Sequence, residues 1–255
     1  MQMQTRNNSR SKATPAKSKI TSFNLLPGRI LARKYEVVSQ IGSGWESEVY
    51  MLRELSTGIE RAAKFFFPHR NLKNKTSNFH AKKLHKLRHC ELLIRYLTQD
   101  SFVYRGETVS FLVSDFVEGE ILKDFISCYP AKRMNVFEAI HLLHALSCGM
   151  EEIHDSGEYH GDLHSENIII QRRGIGFKIK LIDFFHWGPP RAVNIHDDVC
   201  DLIRIFYDAI GGAKVYAKLP QEAKAICCGL KRTLILKKFR NAGELRHFLE
   251  TLNWS

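Results

Sequence analysis

The 255-residue chain has no apolar run long enough to cross a bilayer. Its start, Met1 to Lys19, is polar and basic and lacks the apolar core of a secretory signal, so a cytoplasmic location is expected. The six cysteines (Cys90, Cys128, Cys148, Cys200, Cys227 and Cys228) contain no C-x-x-C pair, which argues for reduced thiols rather than a zinc site or a disulfide frame. His164, His186 and His196 lack the spacing of a metal-binding pair. From Arg61 to Cys90 there is no Asp or Glu at all. The net charge of +11 invites an anionic partner. No aromatic residues are interleaved in the basic tail to stack bases, so nucleic-acid binding is not expected and the excess charge reads as a solvated tail and helix face.

What is present is ample for a core. Apolar residues make up 44% and aromatics 11%, which excludes global disorder. A chain of this length holds one large domain or two lobes sharing a cleft. Residues 1–22 are poor in apolar side chains and are expected to form a disordered basic tail, with order beginning near Phe23. Strand composition follows at Tyr35–Val38, at Val49–Leu52, at Ala62–Phe67 and in a hairpin from Phe102 to Ser114. The spacing of Leu84, Leu87, Cys90 and Leu93 predicts one helix over 76–97, with Lys82, Lys83, Lys86 and Arg88 on its solvated face. Phe137, Ile140, Leu143, Met150 and Ile153 predict a long buried helix ending at Gly157. Further helices are expected over 198–210, 219–230 and 242–252.

Chemistry concentrates in His160-Gly161-Asp162-Leu163-His164-Ser165-Glu166-Asn167 and, after a short hairpin, Asp183-Phe184-Phe185. The hairpin returns the chain so that Asp183 lies beside Asn167. Three oxygen-bearing side chains then converge, a donor set that suits a hard cation together with phosphate oxygens. Upstream, Gly42-Ser43-Gly44 joins two strands, and glycines there let backbone N–H groups approach phosphates closely.

These blocks resemble the protein-kinase superfamily, whose signatures are G-x-G-x-x-G-x-V, the lysine of V-A-I-K, H-R-D-L-x-x-x-N and D-F-G. The resemblance covers about residues 30–252 and implies an α+β, bilobal fold. A small antiparallel β lobe with one helix (23–117) would sit on a larger helical lobe (118–255). It implies ATP and Mg²⁺ as cofactors. Ile41, Gly42, Ser43, Gly44, Val49, Lys64, Asp115 and Val117 would bind ATP, the last two from the hinge, with Ser114 at the back of the pocket. Asp162 would be catalytic, Asn167 and Asp183 would hold the metal, and His164 would meet the phosphate. Asp198 would hydrogen-bond the catalytic-loop backbone.

Departures from the family pattern shape the functional expectation. Ser47 stands at the third glycine, His80 where the helix carries its Glu, Gly161 for the Arg of H-R-D, and Phe185 for the Gly of D-F-G. Without the helix Glu, Lys64 is left to Asp183 or to the nucleotide phosphates. Gly161 argues against control by a phosphorylated activation loop. Little chain separates Asp183 from Asp198, and it holds no A-P-E motif. The H-G-D-L-H loop is similar to those of aminoglycoside and choline kinases. The leading expectation is an atypical Ser/Thr protein kinase; the alternatives are a small-molecule kinase or a pseudokinase acting as a binding module. The acceptor is an unknown protein or small molecule.

Overall fold

A computed structural model describes residues 19–174 and 176–253. Its first half is a six-stranded antiparallel sheet built from β1 (Ile30–Leu31), β2 (Tyr35–Ser43), β3 (Ser47–Glu54), β4 (Glu60–Phe66), β5 (Tyr96–Tyr104) and β6 (Glu107–Asp115), in the order β1-β2-β3-β4-β6-β5. The two-residue β1 adds a strand to the five expected. Alternation in β3 sends Tyr50 and Leu52 into the core and leaves Val49 and Met51 half-buried on the opposite face. Register shifts between Val37 and Ser39 and between Gln40 and Gly42 bend the β2–β3 hairpin.

Phe65 anchors this lobe. It stacks on Phe111 with ring centres 4.6 Å apart and meets Tyr50 and Phe102 edge-on. Phe23 closes the core against Phe67, and its carbonyl accepts from the Tyr104 hydroxyl at 2.6 Å. Packing begins at Ile20, already buried, three residues ahead of the expected start at Phe23. The rest of the expected disordered tail, residues 1–18, lies outside the described residues.

The second half is mostly helical, so the α+β, two-lobed architecture is as expected. It comprises α2 (Leu122–Ser127), α3 (Val136–Asp155), α4 (Ala192–Ala209), α5 (Gln221–Cys227), α6 (Arg232–Lys238) and α7 (Ala242–Glu250). A small sheet of β7 (Glu120–Ile121), β8 (Ile168–Arg173) and β9 (Gly176–Leu181) lies beside them. Asn135 caps α3 by accepting from Glu138 N–H, and Asn241 caps α7 by accepting from Glu244 N–H. The core centres on Leu142, Leu146 and Met150 of α3 against Leu202, Ile203 and Phe206 of α4. Among the described residues no helix is long and apolar enough to cross a membrane.

Several expectations fail locally. The helix read as 76–97 is α1 (Lys75–Lys86) only. Beyond it, Leu87, Cys90, Leu92 and Leu93 are buried by turns, not by helical periodicity, and pack into the core of the helical half. The stretch 91–93 docks on β9, where Leu181 N–H donates to Leu92 carbonyl at 2.7 Å. Gly149 of α3 permits this approach, since a Cβ there would lie 2.5 Å from that of Leu92. Phe137 is 62% exposed, not buried. The helix expected from Asp198 begins at Ala192, and the one expected over 219–230 is α5 plus a single 3₁₀ turn. The short α6 was not anticipated.

Candidate active site

The loop between α3 and β8 is fixed from below by a buried carboxylate. Asp198 of α4 accepts from His160 N–H at 2.7 Å and Gly161 N–H at 2.9 Å, and its Oδ2 lies 3.2 Å from His154 Nε2. This is the backbone contact expected of Asp198. The His160 ring accepts from Asp162 N–H at Nδ1, which puts its proton on Nε2, 3.0 Å from the Ile182 carbonyl. Burial keeps this imidazole neutral by lowering its pKa.

Asn167 braces the loop from within. Its amide nitrogen donates to the Asp162 carbonyl at 2.8 Å and reaches Asp162 Oδ2 at 3.2 Å. That orientation reserves its carbonyl oxygen, the atom a hard cation takes. His164 Nδ1 lies 3.3 Å from Glu166 N, and its Nε2 lies 3.0 Å from the Asn167 amide nitrogen and 3.6 Å from Asp162 Oδ2. The β8–β9 hairpin returns the chain as expected, and Ile182 N–H donates to the Asn167 carbonyl at 3.0 Å. Asp183 follows with φ of +56°.

Lys64 of β4 pairs in register with Val49 and enters the same space. Its Nζ is 2.9 Å from Asp183 Oδ1 and 2.9 Å from Glu46 Oε1. Burial opposes its charge, but the two carboxylates outweigh it and raise its pKa. Burial likewise works against charge on Asp183 and Glu46. Lys64 overrides it at Asp183, lowering the pKa; at Glu46, His80 and Lys64 together hold the pKa at about 2. His80 is buried at the helix position where a Glu was sought, and its Nε2 is 3.4 Å from Glu46 Oε1.

A cavity of about 780 Å³ lies beneath the β2–β3 hairpin. Every residue expected to bind nucleotide or metal lines it: Ile41, Gly42, Ser43, Gly44, Val49, Lys64, Asp115, Val117, Asp162, His164, Asn167 and Asp183. The Asp115 carboxylate is held by Arg61 at 2.8 Å, so what it offers a ligand is backbone. Ile121, Ile169 and Ile182 add apolar lining. Among the described residues no cluster of three His, Cys, Asp or Glu side chains could cage a metal by itself. Asn167 and Asp183 line the cavity with oxygen-bearing side chains, a donor set of the kind that suits Mg²⁺, which completes its shell with waters and substrate phosphates.

The model of the protein kinase domain family matches residues 35–188. The chain belongs to this family. It is 32% identical over 159 residues to the serine/threonine-protein kinase pkn2 of Myxococcus xanthus, covering 61% of the chain and 18% of that protein. It is 29% identical over 155 residues to human death-associated protein kinase 2, covering 59% and 40% respectively. The chain thus spans less than half the length of these relatives. The Mycobacterium tuberculosis PknI kinase domain superposes with a TM-score of 0.63 at 16% identity, over 89% of this chain and 96% of that one. The PF14_0431 kinase domain gives 0.58 at 17% identity, over 75% and 68%. At such identities these two structures speak to the fold.

Within the family frame, the departures have structural reasons. Gly161, at the Arg of H-R-D, has φ of +83°, and a Cβ there would meet the Tyr159 ring at 2.8 Å. Phe185, at the Gly of D-F-G, packs tilted against Trp187 with ring centres 4.6 Å apart and lies 6.5 Å from Trp45 of the glycine-rich hairpin. The short segment that follows is tied to the catalytic loop itself. Trp187 Nε1–H donates to the Gly161 carbonyl at 2.8 Å, and Trp187 N–H donates to the Tyr159 hydroxyl at 2.8 Å. Lys83, expected on a solvated face, is buried instead and donates to the Tyr159 carbonyl. Glu46 was missed as a site residue; the signal for it was a carboxylate in the glycine-rich loop facing a helix that has none.

Proposed function

We propose that the kinase transfers the γ-phosphate of ATP to a Ser or Thr hydroxyl of a protein. The observation that carries this reading is the convergence of Lys64, Asp162, Asn167 and Asp183 on one cleft under a glycine-rich hairpin. The names of the curated relatives support the protein acceptor.

In this reading Gly42, Ser43 and Gly44 cover the phosphates, the two glycines letting the backbone approach them closely. Lys64 neutralises the α- and β-phosphates. Asn167 and Asp183 would hold Mg²⁺, which when bound offsets charge on the phosphoryl oxygens. Asp162, its side chain half exposed, orients the acceptor hydroxyl and takes its proton as the new P–O bond forms and the bond to the β-phosphate breaks. His164 beside it steadies the carboxylate. Catalysis of this kind is positioning plus electrostatic stabilisation. We place the activity in the cytoplasm; the six free cysteines support this.

A small-molecule acceptor is the second reading. The His164-bearing loop and the short segment pinned by Trp187, which leaves little shelf for a peptide, favour it.

The test is incubation of the protein with labelled ATP and Mg²⁺, alone, with a cell extract and with hydroxylated small molecules. The expected result is label on Ser or Thr. Asp162→Ala should keep ATP binding and lose about 10²-fold or more in turnover. Asp183→Ala should lose the Mg²⁺-dependent part of ATP binding. Label on a small molecule alone favours the second reading. Binding of Mg·ATP without any turnover, or wild-type transfer by Asp162→Ala, overturns the assignment.

A further inference from the structure

We propose that Glu46, carried on the glycine-rich hairpin, takes over the lysine-positioning role that the family gives to a helix carboxylate, with His80 as its buried neighbour on α1. The inference rests on the phosphotransferase reading of the same cleft.

The helix cannot supply the carboxylate. Helix α1 and its flanks, from Arg61 to Cys90, contain neither Asp nor Glu. The Lys64 side chain is nonetheless only 15% exposed, and a buried ammonium with too few partners is strongly destabilising. Asp183 alone would have to satisfy it. Asp183 is also the carboxylate proposed to hold the metal, and it cannot serve an ammonium and a cation at full strength together. Glu46 resolves the conflict by offering Lys64 a second carboxylate, also at 2.9 Å.

Glu46 is held for this task. Its backbone carbonyl accepts from Phe67 N–H at 2.9 Å, which pins the hairpin to the end of β4. Gly44 N–H donates to the Ser47 carbonyl at 2.8 Å, closing the turn around it. The Glu46 side chain is 16% exposed. His80 packs on the rings of Phe66 and Phe79, which fixes the direction of its Nε2 toward Glu46. Burial favours the neutral imidazole, which backs the carboxylate at 3.4 Å without adding a charge.

The consequence is a change in what controls the lysine. In the family, placement of the helix brings its Glu to the lysine. Here the clamp lies within the sheet, between a hairpin and its neighbouring strand, and α1 contributes only a neighbouring imidazole. The element that covers the phosphates also sets the lysine.

Glu46→Gln tests this, read by kcat, by the Mg²⁺ concentration for half-maximal rate, and by the ATP-induced melting shift with and without Mg²⁺. Glu46→Gln should lower kcat about tenfold or more, the usual effect of deleting a charge-assisted hydrogen bond. It should raise the Mg²⁺ requirement, because Lys64 then leans wholly on Asp183. The ATP-induced shift without Mg²⁺ should stay near wild type, while the extra shift from Mg²⁺ shrinks. Adding His80→Glu to Glu46→Gln returns a carboxylate to the helix and should restore kcat to within about threefold of wild type. Wild-type kcat and Mg²⁺ dependence in Glu46→Gln overturns the inference. So does a folded double variant no better than Glu46→Gln; should the double variant not fold, Glu46→Gln decides alone. A wild-type protein that transfers no phosphate defeats the phosphotransferase reading instead, and the Mg²⁺-dependent melting shift still judges the role of Glu46.

Discussion

The ammonium of Lys83 lies 4.7 Å from the ring centre of Phe184 and 4.2 Å from that of Tyr159, in the joint between α1 and the catalytic loop. It donates to the Tyr159 carbonyl and has Glu158 at 3.8 Å, a carboxylate that Lys86 engages at 2.7 Å. The rings of Phe184, Tyr159 and Phe79 around the ammonium, with centroids no more than 5.6 Å away, supply cation–π attraction. The helix is therefore tied to the large lobe by a contact that needs no phosphorylated segment, consistent with Gly161 in place of the family's loop-docking arginine.

Burial lowers the Lys83 pKa to about 8, against the attraction of Glu158 and Asp198. Between that value and the ordinary lysine value the unfolded chain binds the proton and the folded one does not, so stability attributable to this group rises with pH through that window. Lys83→Met keeps the apolar stem and removes the titration. Urea unfolding at pH 7.5 and pH 10 should show wild type gaining on Lys83→Met at the higher pH by roughly 1–3 kcal/mol. An unchanged difference between the two proteins at both pH values would discard this account of Lys83.

Gly161 should resist the family's side chain. Its φ of +83° disfavours any Cβ, and the ring it would strike cannot yield. Tyr159 is 1% exposed, and its hydroxyl donates to the Gly188 carbonyl and accepts from Trp187 N–H. Gly161→Ala and Gly161→Arg should each cost about 2 kcal/mol or more of stability. A melting scan checks this; the melting temperature should fall by about 4 °C or more for a domain of this size. Wild-type melting in Gly161→Ala would show that the loop has a freedom the structure denies.

The motifs were legible where chemistry is local in sequence. His160 to Asn167 is one loop, and Asp183 follows through a short hairpin marked by two apolar runs around Arg172-Arg173-Gly174, so their meeting could be read from the chain. Lys64 was legible because it sits on a strand at fixed distance from the glycines. The pairing of Glu46 with Lys64 and His80 was not, because it joins a hairpin tip to a helix and depends on how far the hairpin folds over. Lys83 was misread because its neighbours Lys82 and Lys86 mark a solvated face, while Lys83 itself lies where α1 meets the catalytic loop. The helix over 76–97 was overextended because Leu87, Cys90 and Leu93 mimic helical spacing while turns bury them. Helix α6 buries only Ile235, too little periodicity to register.

Asp201, on α4 near the catalytic loop, offers a stability test of the opposite sign to Lys83. Burial, then the like charges of Asp198, Asp197 and Asp162, raise its pKa to about 7. Between the ordinary carboxylate value and pH 7 the folded protein holds a proton that the unfolded chain has lost. The stability contribution of this group therefore falls as pH climbs through that window, and above it the folded state carries the full penalty of a crowded anion. Asp201→Asn removes the penalty while keeping size and shape. At pH 8 the variant should be more stable than wild type by roughly 1–3 kcal/mol, a figure reduced for the partial exposure of the group. At pH 4, where the folded wild type is protonated and the unfolded chain about half so, the gain should be well under 1 kcal/mol. Urea unfolding at the two pH values measures it. An equal gain at both would mean that the introduced amide packs better for reasons unrelated to charge, and a loss at pH 8 would show that the anion has a partner more valuable than its neighbours are repulsive.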